Sequence, residues 1–204
     1  EKEQYIRIID YKSSIKDIDL NEVKAGIKLQ LLTYMNEMCK QESAEPAGAF
    51  YYNLIEPMVK ASQNMSDEQI EEELRKQFKM RGLILADVDI IRKMDKNLDT
   101  GSSNIIPATI NKDETLSKKA SNISKQQFEY LQKYTNKIIK QISEEILSGN
   151  INIKPYYNTK NKKTPCEYCT YKSICQFENG ICKKEYNYIS NLEKEAILEM
   201  MKEK

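Results

Sequence analysis

The sequence predicts an α/β fold with a central sheet covered on both faces. Two observations carry that expectation. Residues 5–11 are β-branched and aromatic, and the adjacent apolar pair Ile8 and Ile9 calls for burial on both sides of one strand. A helical stretch at 21–40 and a second apolar strand at 47–55 follow.

The elements follow in order along the chain. Ser13 and Ser14 end the first strand. Asp19 or Asn21 caps the helix over 21–40, whose stripe at helical spacing is Val23, Ile27, Leu31, Tyr34, Met35 and Met38. Residues 41–46 form a loop, and Glu56-Pro57 ends the second strand. Ser66 followed by Gln69 is a capping signal for a helix running to about Met80, with Gly82 as its stop. A shorter helix is expected over Asp87–Lys96. Residues 97–122 are rich in Asn, Ser, Thr and Lys, a polar excursion with room for a short hairpin. A long amphipathic helix spans 124–148, with Phe128, Leu131, Ile138, Ile142 and Ile146 close to one face, and ends at Gly149. Residues 151–165 read as an extended basic linker and 185–204 as a charged helical end. There is no internal repeat.

Composition narrows the chemistry. Among 204 residues, 32 Lys and Arg balance 31 Asp and Glu, so any nucleic-acid surface must be a local basic patch. The sequence has no His, which removes Ser-His-Asp triads, Cys-His dyads and His-ligated zinc. Acid–base work falls to carboxylates, Lys, Tyr or Cys. No apolar run approaches the roughly 18 residues of a membrane span. The first residues are charged rather than leader-like, so the expected setting is cytoplasmic, without a membrane partner.

Two constellations carry chemistry. Asp10 and Lys12 sit two apart at a strand end, so both side chains leave the same face. A carboxylate beside a lysine suits metal-dependent phosphodiester cleavage: Asp10 as an oxygen ligand for Mg²⁺, Lys12 to orient water or hold charge on the phosphate. The bland alternative is an exposed strand end. Gln30 and Tyr34 are four apart and share a helix face beside the apolar stripe. Their alternative is an ordinary stripe-edge Gln and core Tyr.

The second constellation is Cys166, Cys169, Cys175 and Cys182. Cys-x-x-Cys brings two thiolates to one metal, and a third completes most of a site. The spacing leaves two arrangements open: a four-thiolate zinc site, or three cysteines on a [4Fe–4S] cluster with the fourth ligand elsewhere. Pro165, Tyr168, Tyr171 and Phe177 are placed to shield either. Cys39 reads as a core residue.

The run Ile8–Ser14 followed by Gly26–Tyr34 resembles the core of RecB-type nucleases of the PD-(D/E)xK superfamily: a strand, (D/E)xK, then a QxxxY helix. Nearly the whole chain is similar to the C-terminal nuclease segment of the AddB family, including Ala47–Tyr52, Phe78–Asp87, Ile105–Pro107 and Ile146–Ile151. The resemblance implies a restriction-endonuclease-like α/β core, truncated on its N-terminal side, over 1–150. It implies added helices, with a basic linker, cysteine staple and terminal helix over 151–204. It makes Asp10 a Mg²⁺ ligand, Lys12 the catalytic lysine, and Gln30 and Tyr34 site-shaping or DNA-contacting residues. It makes Cys166, Cys169 and Cys175 ligands of a [4Fe–4S] staple whose fourth cysteine lies upstream, with Cys182 as a substitute. It implies a bacterial heterodimer with AddA that acts on double- and single-stranded DNA. Within it this segment cuts the 5′-ended strand during double-strand break repair by homologous recombination. No GxxxxGK[ST] motif occurs, so ATP binding belongs to the rest of the complex. The family's further acidic ligand lies upstream of residue 1, so the segment alone is expected to bind Mg²⁺ poorly, to cleave little and to lack an intact cluster. Two rival readings are a CRISPR-associated RecB-like exonuclease and a non-catalytic, metal-stapled DNA- or partner-binding module.

Overall fold

The computed structural model describes residues 3–54, 65–117, 121–177 and 186–202. β1 (Tyr5–Lys12) leads through α1 (Leu20–Lys24) and α2 (Gln30–Gln41) to β2 (Glu45–Asn53). Then come α3 (Asp67–Gln77), β3 (Arg81–Leu85), α4 (Val88–Met94), β4 (Gly101–Ser102), β5 (Thr109–Ile110), β6 (Asn122–Ile123) and α5 (Lys125–Leu147). The chain closes with β7 (Tyr156–Asn158), a 3-10 turn (Pro165–Tyr168), α6 (Lys172–Cys175), β8 (Asn187–Ile189) and α7 (Lys194–Lys202).

The main sheet has the order β1-β2-β3-β6. β1 and β2 run parallel, β3 is antiparallel to β2, and β6 parallels β3. Both faces are covered, as the Ile8-Ile9 pair requires. Ile8, Ala49 and Leu83 face one core with Leu31, Leu32, Met35, Phe128 and Leu131 of α2 and α5. Ile9 and Phe50 face the other, with Ile91 of α4 and Ile106 and Ile110 of the excursion. Within that excursion Ser103 Oγ donates to Asp95 at 2.6 Å and accepts from the Ile105 and Ile106 amides at 3.0 Å, and β4 pairs with β5 as the expected hairpin.

Several expectations are corrected. The helix over 21–40 is two helices. Asp19 caps α1 by accepting from the Asn21 amide at 2.9 Å, and the chain then breaks at Gly26 (φ +80) and Lys28 (φ +57). Glycine suits the break because its φ lies in the left-handed region, which L side chains rarely adopt. The break restarts the helix at Gln30 and turns its stripe to Leu31, Leu32, Met35, Asn36 and Cys39, leaving Tyr34 and Met38 exposed. Gly82 is not a helix stop but the second residue of β3. There φ is +138 and an added Cβ would come within 2.1 Å of the Ala49 carbonyl oxygen. α5 buries Phe128, Leu131, Tyr134 and Thr135, whereas Ile142 and Ile146 project into solvent beyond the core. The charged end is a strand and a helix rather than a helix alone, because β8 pairs with β7. The Glu56-Pro57 stop lies outside the described residues. Ser66 and Ser124 both form the capping boxes their sequences announce.

The terminal helix is part of the core: Ile197, Leu198 and Met201 are buried with Leu20 and Val23. Asn21 fastens it. Its Nδ2 donates to the Leu192 carbonyl at 3.1 Å, and its Oδ1 accepts from the Leu192 amide at 2.9 Å and from Ser190 Oγ at 3.2 Å. Asn21→Ala should therefore loosen residues 190–202 by about 1–3 kcal/mol. Faster hydrogen exchange in α7, with β2 unchanged, is the expected readout; uniform exchange would refute it. Among the described residues no helix is long and apolar enough to cross a membrane.

Candidate active site

β1 delivers Asp10 and Lys12 to the mouth of the sheet on the α2 face. Lys12 Nζ lies 2.8 Å from Asp10 Oδ2 and 5.7 Å from the centre of the Tyr51 ring. Tyr51 is the register partner of Asp10 on β2, which explains the crowding. The hydrogen bond to Asp10 holds the Lys12 ammonium above the usual lysine range, with the Asp10 charge and the nearby Tyr51 and Tyr34 adding to it against desolvation. Burial pushes the Tyr51 phenol up, and Lys12 pulls it back. Both partners remain reachable: the side chains are 31% (Lys12) and 22% (Asp10) exposed.

Gln30 opens α2, and its Nε2 donates to Tyr34 Oη at 3.0 Å, one turn along an exposed face. Tyr34 is 50% exposed and close enough to Lys12 to act on its charge. The structure thus brings together all four residues singled out in the sequence. Glu22 and Lys28 form an ion pair beside them.

Sequence reasoning missed Tyr51 and Arg81. Arg81 is the register partner of Tyr51 on β3, so Asp10, Tyr51 and Arg81 form one row across three strands on one face. Nothing local in the sequence marks either residue; only strand register does.

The cysteine segment follows β7. Cys166 and Cys169 lie on and just after the 3-10 turn, which Thr164 caps, and Cys175 ends α6. All three are free thiols, and Cys182 lies outside the described residues. Among the described residues no three Cys, Asp or Glu side chains are gathered closely enough to hold a metal. Tyr168 and Tyr171 point to solvent rather than shielding the cysteines. Phe177, by contrast, is buried, with its ring centre 4.9 Å from that of Tyr186 and with Tyr157 and Tyr188 packed around Tyr186. Cys39 is buried against Met35, as a core residue should be.

Known proteins resemble this chain over nearly all of its length. The description of the PD-(D/E)XK nuclease superfamily matches residues 1–176. The chain is 42% identical over 205 residues to an ATP-dependent helicase/deoxyribonuclease protein, of the AddB kind, from Thermoanaerobacter sp. (strain X514). It is 40% identical over 207 residues to the protein of the same name from Bacillus thuringiensis (strain Al Hakam), and 38% over 203 residues to that from Acetivibrio thermocellus. These alignments cover 97–98% of this chain but 18% of each relative's length, so the chain corresponds to a minor part of those proteins. On the α/β core, the strand-end Asp10 and Lys12 and the match over 1–176, the chain belongs to the PD-(D/E)XK nuclease superfamily.

Proposed function

We propose that this chain is the nuclease segment of an AddB-type component of an ATP-dependent helicase–nuclease, hydrolysing DNA phosphodiesters with Mg²⁺. Residues 1–150 make the nuclease core in this reading, and 151–204 the linker, cysteine segment and terminal helix. The observation that carries it is the Asp10–Lys12 pair at the sheet mouth, with Gln30 and Tyr34 alongside. The heterodimer with AddA, the cytoplasmic setting, the choice of the 5′-ended strand and the role in break repair follow from that family placement.

Asp10 suits Mg²⁺ as a hard oxygen donor beside solvent, and it supplies one ligand of the several that the ion takes. When bound, Mg²⁺ supplies Lewis-acid polarisation of the phosphate and lowers the pKa of a coordinated water. Hydrolysis joins a water oxygen to phosphorus, breaks the bond to the leaving nucleotide oxygen and returns a proton to that oxygen. Lys12, held protonated by Asp10, presents N–H donors to the charge that builds on the non-bridging oxygens. Tyr34, oriented by Gln30, borders the phosphate path. The test is cleavage of a short DNA strand by the full-length protein with its partner. Unchanged cutting in both Asp10→Ala and Lys12→Ala would reject this site.

The cysteines belong to the same proposal. Cys166, Cys169 and Cys175 are soft thiolate donors in the spacing that [4Fe–4S] ligation uses, with a fourth cysteine from elsewhere or from Cys182. Anaerobically purified full-length protein should carry about four irons per chain with visible absorption, both lost in Cys175→Ala. One zinc and no colour would instead identify a four-thiolate zinc site. Because β7 and β8 pair on either side of this segment, losing the metal should leave α7 in place.

A further inference from the structure

Arg81 stands at the start of β3, in the row Asp10–Tyr51–Arg81 that crosses the sheet mouth. Two strand spacings put its backbone about 10 Å from that of Asp10, on the same face. That distance is on the scale of a few nucleotides along one DNA strand. The position is rigid, because Gly82 lets β3 press its backbone against the Ala49 carbonyl.

Arg81 also lines a recess of 370 Å³ with Lys76, Lys79 and Asp17. The two lysines are engaged: Lys76 pairs with Glu72 and Glu73, and Lys79 donates to Ser102 at 3.1 Å. Arg81 is exposed, and among the described residues its side chain makes no hydrogen bond or ion pair. Its charged neighbour is Asp17, which acts on it electrostatically without pairing. Desolvation at the recess pushes the Asp17 carboxyl up even though its side chain reaches solvent, while Arg81 and Lys28 draw it down. With charge balanced over the whole chain, a local cation on the reactive face is what can direct a polyanion. A guanidinium offers a planar fork of donors that matches two phosphate oxygens at once.

We propose that Arg81 binds a second backbone phosphate of the substrate strand, one to three nucleotides from the phosphate cut at Asp10 and Lys12, and so sets the strand's direction across the sheet. This rests on the nuclease reading above and adds a substrate contact to it.

The experiment is a cycle between protein and DNA. The full-length protein with its partner cleaves short single strands under single-turnover conditions. Each strand carries one neutral methylphosphonate at one of the phosphates flanking the cut, and Lys12→Ala protein supplies the background from any other nuclease. At one position the neutral group should slow the wild type about tenfold, the scale of one charge-assisted contact. Arg81→Gln should be slowed by a similar factor on natural DNA and should have lost sensitivity at that position alone. Arg81→Lys keeps the cation and should keep the sensitivity, which separates lost contact from lost folding. The proposal is overturned if Arg81→Gln cuts like the wild type or retains the full interference pattern, or if Arg81→Lys loses it. Cleavage that survives Lys12→Ala undiminished would instead defeat the nuclease reading itself.

Discussion

Lys12→Ala in the full-length protein should lower DNA cleavage at this site by about 10²- to 10³-fold, the usual cost of removing one donor aimed at developing charge. The loss should appear at saturating DNA, with binding little changed, because the ammonium acts on charge that the substrate acquires only on the way to products. Asp10→Ala should be at least as severe: it removes the oxygen donor and leaves Lys12 without the carboxylate that now holds it at 2.8 Å. The pH behaviour has a definite sign. Hydrogen bonding to Asp10 raises the folded-state pKa of Lys12 above 10.5, so the pair stabilises the fold fully below 10.5, and that stability is lost as pH rises through the folded value. A Lys12→Ala protein within a few-fold of wild type would move the chemistry elsewhere.

Gly82→Ala should cost at least about 3 kcal/mol of stability, among the larger effects of a single methyl group. Two penalties combine at one residue. With φ at +138 any L side chain is strained, and the new Cβ would sit 2.1 Å from the Ala49 carbonyl oxygen, a backbone atom of the neighbouring strand that cannot step aside. Relief requires β3 to move off β2, which separates Leu83 from Ala49 in one core and Ile84 from Phe50 in the other. Thermal and urea unfolding of the chain should show a large downward shift. A change within about 1 kcal/mol would mean that β2 and β3 are not pressed together at this residue.

Residues whose meaning is local were legible in the sequence, and residues whose meaning depends on a distant strand were not. The Ile8-Ile9 pair, the Asp10–Lys12 spacing, the Gln30–Tyr34 spacing and the Ser66 and Ser124 capping boxes each depend on neighbours within a few positions, and each is found in the structure. Gly82 shows the opposite case. A glycine after a helical run signals a helix stop, and the same residue also suits a strand pressed against another backbone; what decides is Ala49, on a strand distant in sequence. The split at Gly26 was hidden because apolar periodicity continues across it, although the break rotates the stripe and releases Tyr34 to the site. Ile142 and Ile146 keep the correct period, but α5 outruns the sheet that would cover them. Arg81 became visible only through the register of β3 against β2.

The burial of α7 has a consequence for how this segment is made. Leu20 and Val23 leave the ribosome well before the residues that seal them, Ile197, Leu198 and Met201. Until then the nascent chain carries an open apolar seam beside an otherwise formed sheet, and closing it joins positions far apart in sequence, a slow kind of contact to make. Removing the last turn of α7 would take Met201 from that seam, so it should provoke aggregation and proteolysis out of proportion to the residues removed.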